Sequence, residues 1–166
     1  GFMLIDQQTA HERILYEKYL HSLNEGATTT QQQLFAKTLN LSVADGQLMK
    51  EMLPQVNQLG FDVQEFGKET FVIHGVPAEV KSGEEEQIIE TLLEQYRQNV
   101  ELKLDIRENV ARSMARSTGI KREQTLSPLE MQSIIDELFA CEIPYQSPSG
   151  KNCFVTFDLE DLDRQF

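Results

Sequence analysis

The sequence contains no tryptophan, only two cysteines, and no apolar run long enough to span a membrane. Two cysteines, Cys141 and Cys153, cannot build the dense disulfide framework of a small secreted domain. They suit a reducing compartment, and no secretory signal pattern opens the sequence. We therefore expect a cytoplasmic protein without a membrane anchor.

Motifs of the common catalytic classes are missing as well. The sequence has no glycine-rich phosphate-binding loop and no Gly-x-Ser-x-Gly nucleophile motif, and neither cysteine has a neighbouring histidine. These absences remove the usual support for a nucleotide site or a nucleophilic hydrolase within this chain.

Basic residues are few compared with acidic ones. There are 15 lysines and arginines against 27 aspartates and glutamates, which gives a net charge of −12. Phosphate backbones repel such a chain on average, which argues against a stand-alone nucleic-acid-binding module. A solvated helix face is the first interpretation of the local basic stretch, and contact with DNA is the alternative. Its members are Arg107, Arg112, Arg116, Lys121 and Arg122.

Apolar periodicity predicts both helices and strands, and hence an α/β (α+β) fold. The predicted order is a strand over 2–6, a helix over 8–24, an extended and bulged segment over 31–41, a helix over 42–59, a hairpin over 61–74, helices over 84–98, 104–118 and 128–141, a strand over 152–158 and a short last helix.

The middle of this order can close its own small core, whereas the first and last segments need each other to bury their apolar faces. We therefore predict a two-lobed chain. Residues 1–26 plus 102–166 form a discontinuous dimerisation lobe, and residues 27–101 form a smaller inserted regulatory lobe.

The first strand-to-helix corner, Asp6 to Glu17 (DQQTAHERILYE), collects the most chemistry. Asp6 is placed to cap the helix. His11, Glu12 and Glu17 suggest a metal or acid–base site, but adjacent residues diverge around a helix and the zinc-binding pattern His-Glu-x-x-His is absent. The alternative is a capped helix with an acidic face and a histidine against the core.

This corner resembles the first motif of the MutL family of DNA mismatch repair proteins, in their C-terminal dimerisation region. In nuclease-active members that motif is Asp-Gln-His-Ala, two residues, Glu, four residues, Glu. The matching residues here are Asp6, Gln7, Glu12 and Glu17, while the His and Ala positions hold Gln8 and Thr9. The resemblance continues in order along the whole chain.

Two later motifs of the family are also degenerate. Ala-Cys-Arg/Lys-x-Ala-Ile-Lys corresponds to 115–121, with Arg116 at the Cys position. Cys-Pro-His-Gly-Arg-Pro corresponds to 147–152, with Ser147 and Ser149 at the Cys and His positions. The resemblance implies a metal site at these positions, which here read Gln8, Glu12, Arg116, Ser147 and Ser149.

Serine hydroxyls and an amide are poor replacements for imidazole and thiolate, and Arg116 brings a fixed positive charge. We expect the fold and dimer role of the family without a cofactor and without metal-dependent nicking. The vestigial catalytic set is then Asp6, Gln8, Glu12 and Glu17. The alternative is a Zn- or Mn-dependent endonuclease domain, with a rearranged single-metal site on Asp6, Glu12 and Glu17.

The resemblance also implies partners. Family members carry a sliding-clamp motif after the first helix, and Gln32, Leu34 and Phe35 fit it, with Lys37 in place of its proline. The alternative is an ordinary strand of the inserted lobe. We expect a homodimer that joins two copies of a mismatch repair ATPase, whose ATP-binding region lies outside this chain. Candidate dimer contacts are Ile14, Leu15, Tyr19, Phe154 and Phe157, which could instead be intramolecular core.

Overall fold

The computed structural model describes residues 1–26 and 29–166. The predicted α/β class is confirmed, since the described residues form helices and two small antiparallel sheets. The elements are β1 (Phe2–Ile5), α1 (Gln7–Glu25), β2 (Thr30–Asn40), α2 (Val43–Gln58), β3 (Asp62–Glu65), β4 (Thr70–Pro77), α3 (Glu85–Asn99), a 3₁₀ turn (Val100–Leu102), α4 (Ile106–Thr118), α5 (Pro128–Ala140), β5 (Phe154–Phe157) and α6 (Leu159–Asp163).

The chain divides into two compact units. The first contains residues 1–17 and 119–166, and the second contains residues 18–118. Residues 18–26 and 102–118, which the sequence-based division placed in the discontinuous lobe, belong to the second unit. The predicted boundary at residue 27 lies outside the described residues, and the assignment of one lobe to dimerisation and the other to regulation stays a prediction.

The first unit is built on the pairing of the chain's two ends. Strands β1 and β5 run antiparallel, with Phe2 opposite Phe157 and Ile5 opposite Phe154. Ile5 and Phe154 pack against the core of this unit. The buried core residues are Ala10, Ile14, Leu126, Ile134, Leu138 and Cys153.

Helix α5 of the first unit begins where its local sequence dictates. The Ser127 side chain accepts a hydrogen bond from the Glu130 N–H (3.2 Å), and the Glu130 carboxylate accepts one from the Ser127 N–H (2.6 Å). This reciprocal capping box satisfies two backbone donors at the helix start. Pro128 then occupies the first turn, where a missing N–H costs nothing.

The second unit combines a three-stranded sheet with helices. The strand order is β2-β4-β3, all antiparallel, and α3 packs along α4. Strand β4 is central and mostly buried, and it runs to Pro77, three residues beyond the predicted hairpin strand. Fully buried side chains of this unit include Met49, Met52, Leu59, Phe61, Phe71, Ile73, Ile89, Leu92 and Met114.

Strand β2 carries the predicted bulge. Gln32 pairs with Gly75 and Lys37 pairs with Ile73, so residues 33–36 of β2 face only His74 of β4. The extra residues cannot follow the ladder and therefore project from the sheet. The prediction of an extended, bulged segment is confirmed.

None of the helices in the described ranges has both the length and the apolar character needed to cross a membrane.

Candidate functional site at the head of the first helix

Asp6 directly follows β1 and caps α1, and the cap is as predicted. Its Oδ1 accepts a hydrogen bond from the Thr9 N–H (2.9 Å). Its Oδ2 accepts from Arg122, with distances of 2.7 Å to Nε and 2.6 Å to Nη2. Burial alone raises the pKa of the carboxyl, but the Thr9 hydrogen bonds and the Arg122 guanidinium outweigh it and lower the pKa below its ordinary value. Asp6 is therefore a fixed carboxylate whose two oxygens are both engaged.

The next residues of α1 bind the turn over 120–124. The Gln7 Nε2 donates to the carbonyl oxygens of Lys121 (2.8 Å) and Gln124 (2.7 Å). The Gln8 Oε1 accepts from the Arg122 N–H (3.1 Å), and the His11 Nδ1 accepts from the Ile120 N–H (2.8 Å). Gln8, which the motif resemblance places at a metal-ligand position, therefore binds a backbone amide.

One and two turns further along α1, two side chains bind a second part of the chain, the segment over 142–146. The Arg13 Nε donates to the Gln146 carbonyl (2.6 Å), and a Glu17 oxygen accepts from the Glu142 N–H (2.8 Å). Arg13 also lies over the Tyr16 ring, 5.3 Å from its centroid. Side chains of α1 therefore anchor both backbone stretches that complete the first unit.

The residues at the expected metal positions do not fit a Zn²⁺ or Mn²⁺ site. The Ser147 Oγ lies 3.0 Å from the Ser149 Oγ, and Ser147 also accepts from the Lys151 N–H (3.2 Å). Glu12 is buried in the first unit, whereas Arg116 is an exposed residue of α4 in the second. In residues 1–26 and 29–166, no three His, Cys, Asp or Glu side chains converge as ligands of one ion.

Comparisons with known proteins identify the family. A family model described as the MutL C terminal dimerisation domain matches residues 1–126. The chain belongs to this family. The DNA mismatch repair protein MutL of Chlorobium limicola is 38% identical over the whole of this chain, and that of Chloroherpeton thalassium is 39% identical. The chain spans about a quarter of the length of these curated relatives, 27% and 26%.

The candidate dimer contacts of this MutL-type domain fall into two groups. Ile14, Leu15 and Tyr19 are 6%, 3% and 0% exposed, and their burial favours the alternative of intramolecular core. Phe154 and Phe157 are partly exposed, but adjacent strand positions alternate between faces, and Phe154 packs inward. Phe157 thus lies on the outer face of the sheet.

The clamp candidates lie on the bulge of β2. Leu34 is 90% exposed and Phe35 is 82% exposed, while Gln32 pairs with Gly75 at the bulge's first end. Large apolar side chains this exposed are available to a partner.

The predicted basic stretch does not form one surface within either unit. Arg107, Arg112 and Arg116 belong to α4 of the second unit, while Lys121 and Arg122 belong to the first. The Arg122 charge is engaged by Asp6. Contact with DNA through these residues stays a prediction.

Both cysteines are free thiols, and the Arg13 charge acts on each of them. Burial and the Glu17 carboxylate raise the pKa of Cys141 to about 12. Burial likewise raises the pKa of Cys153 to about 11, although Arg13 opposes the shift. Neither thiol has the lowered pKa of a reactive or metal-binding cysteine.

The anchoring roles of Gln7, Arg13 and Arg122 were missed by the sequence reasoning. Their partners lie more than a hundred positions away along the chain. No local pattern contains that information.

Proposed function

We propose that this domain joins two copies of a MutL-type mismatch repair protein, and that the first unit supplies the contact. The observation that carries the proposal is the outer face of the β1–β5 sheet. Residues directly opposite each other share a face, so the outer face consists of two apolar pairs. These pairs are Phe2 with Phe157 and Leu4 with Val155.

This outer face is exposed as well as apolar. Phe2, Leu4 and Val155 are 44%, 55% and 40% exposed, and the rings of Phe2 and Phe157 stack at 5.1 Å. A contiguous apolar surface of this kind marks an interaction site on a protein in water. A two-fold axis through the sheet brings the same patch of both copies together, which is the geometry of most homodimers.

A charge placed on the outer face tests this interface. We expect the wild-type domain to sediment as a dimer and Leu4→Glu to weaken the association by about tenfold or more, because a buried carboxylate without a partner is costly. The matched control is Leu129→Glu, which makes the same change at an 84% exposed residue of α5. The control should remain dimeric.

The two possible failures can be told apart. A wild-type domain that stays monomeric at high concentration contradicts the dimer itself. A Leu4→Glu variant with unchanged association, and with wild-type circular dichroism, contradicts only the placement of the interface on this face.

We propose further that the β2 bulge docks into an apolar pocket of the sliding clamp. The projection of Leu34 and Phe35 favours this over an ordinary strand, because a regular pairing would place alternate side chains against the sheet. We expect a Leu34→Ala, Phe35→Ala double variant to lose clamp binding by about tenfold or more in a surface-binding assay.

Phe66 supplies a matched control for the clamp proposal. It is another exposed phenylalanine of the second unit, 71% exposed, and it lies outside the bulge. Phe66→Ala should bind the clamp like the wild type. Equal binding by all three proteins rules out a role for the bulge.

The poor fit of the metal positions supports a domain that does not itself nick DNA. We therefore propose that the parent protein contributes ATP-driven regulation and dimerisation rather than strand cleavage. The test is nicking of supercoiled DNA with Mn²⁺ by the full-length protein, for which we expect no activity above background. Robust nicking that Asp6→Asn abolishes supports the endonuclease alternative instead.

A further inference from the structure

The turn over 120–124 is bound to the head of α1 by several side chains of the helix. The Gln7 Nε2 lies within hydrogen-bond distance of three of its carbonyl oxygens, and Gln8 and His11 accept from two of its amides. Each of these hydrogen bonds joins a side chain of α1 to the backbone of the turn. Together they fix the position of the residue that the turn presents to Asp6.

That residue is Arg122. Its guanidinium approaches one oxygen of Asp6 through two nitrogens, at 2.7 Å and 2.6 Å, while the other oxygen is taken by the Thr9 amide. A fixed positive charge at this distance repels a second cation that would bind the same carboxylate. The sequence had pointed to Arg116 as the intruding charge; in the first unit that charge belongs to Arg122.

We propose that Arg122 is the resident cation of this degenerate site, so that the head of α1 is held together by a guanidinium and excludes a divalent metal. The ion pair neutralises Asp6 within the first unit, so this carboxylate needs no divalent cation as a partner.

The proposal is tested by removing the charge of Arg122 and using Mn²⁺ alone as the probe. In amide NMR spectra of the ¹⁵N-labelled domain, we expect Mn²⁺ to broaden residues 6–12 of the wild type no more than the exposed acidic helix α6. In Arg122→Gln, residues 6–12 should broaden at about tenfold lower Mn²⁺, because Asp6 regains a free carboxylate oxygen.

Two variants separate this effect from a general loss of charge or structure. Lys151→Gln removes the same charge from an exposed position of the same unit and should behave like the wild type. Arg122→Lys keeps the charge but not the planar fork, and it should restore exclusion of Mn²⁺. Equal broadening in Arg122→Gln and the wild type overturns the proposal.

A further test uses the wild-type domain alone and therefore does not depend on the folding of any variant. Hydrogen exchange at the Ile120 and Arg122 amides should be equally slow with a chelator and with added Zn²⁺, since the turn is held by side chains of α1. Zn²⁺ that slows this exchange by about tenfold, or that remains bound at one equivalent after dialysis, overturns the proposal. The inference about Arg122 rests on the proposed function only for the family's domain, and sedimentation separates the two. Arg122→Gln should still sediment as a dimer, so a change in Mn²⁺ binding tests Arg122 without testing the dimer.

Discussion

Asp6 is engaged by a backbone amide on one oxygen and by a guanidinium on the other. The net effect is a pKa below the ordinary value of 3.8, although burial acts in the opposite direction. A carboxyl group whose pKa is lowered by folding stabilises the fold above its unfolded pKa. That contribution disappears as the pH falls through the folded pKa.

Replacing Asp6 by asparagine should therefore have a pH-dependent cost. We expect the free energy of unfolding of Asp6→Asn to be lower than that of the wild type at neutral pH, and the gap to close as the pH falls below about 4. Urea unfolding followed by circular dichroism across this range measures the gap. A difference that is constant with pH contradicts the role of the ionised carboxylate.

The Cys141 thiol should be unreactive despite being only partly buried. With a pKa of about 12, its thiolate population at pH 8 is roughly a thousandfold below that of a free cysteine. We expect correspondingly slow reaction with Ellman's reagent, and faster reaction in Glu17→Gln, which removes the neighbouring carboxylate. Rapid labelling of the folded wild type is the contrary result.

Among the helices, the start of α5 shows what local sequence can specify. Ser127, Pro128 and Glu130 contain the whole capping signal within four positions, and the sequence alone predicts the start of this helix. The contacts of α1 show the opposite case. Gln7 binds the carbonyl of Lys121, which is 114 positions away. A glutamine at a helix start gives no local sequence signal from which this partner could be predicted.

The same distinction applies to β2. Its weak apolar alternation predicts a strand with a bulge, because the alternation changes register partway along. How far the bulge would expose Leu34 and Phe35 depends on the pairing of β2 with β4, which joins residues 30 to 47 positions apart. Exposure at the candidate clamp site therefore follows from tertiary pairing rather than from the local sequence.

The capping box of α5 gives a prediction at the scale of one element. Ser127→Ala leaves the Glu130 amide without its acceptor and should lower the free energy of unfolding by about 1 kcal/mol. Ser133→Ala changes the same residue type within α5, where the hydroxyl only donates to the exposed Glu137 carboxylate (2.8 Å). That control should stay within about 0.5 kcal/mol of the wild type in chemical denaturation. Equal effects of the two substitutions contradict a special role for the cap.

At the scale of the whole domain, composition and local pattern predict the fold class and the order of helices and strands. They do not predict which contacts the motif residues make in the folded domain. The sequence marks Asp6, Gln8, Glu12 and Glu17 as a vestigial catalytic set. In the folded domain, Asp6, Gln8 and Glu17 hold segments that return from the C-terminal part of the chain. Three residues of this predicted set therefore hold the first unit together.

The net charge of −12 sets the salt dependence of the proposed dimer. Two such copies repel each other at long range, whereas the apolar outer face of β1 and β5 attracts at contact. Raising the salt from about 10 mM to about 100 mM shortens the screening length from roughly 30 Å to roughly 10 Å, which weakens the repulsion. We therefore expect the dissociation constant, measured by sedimentation equilibrium, to fall several-fold over this range. A dimer that instead dissociates as salt is added is held by ion pairs, and the apolar face is then not its interface.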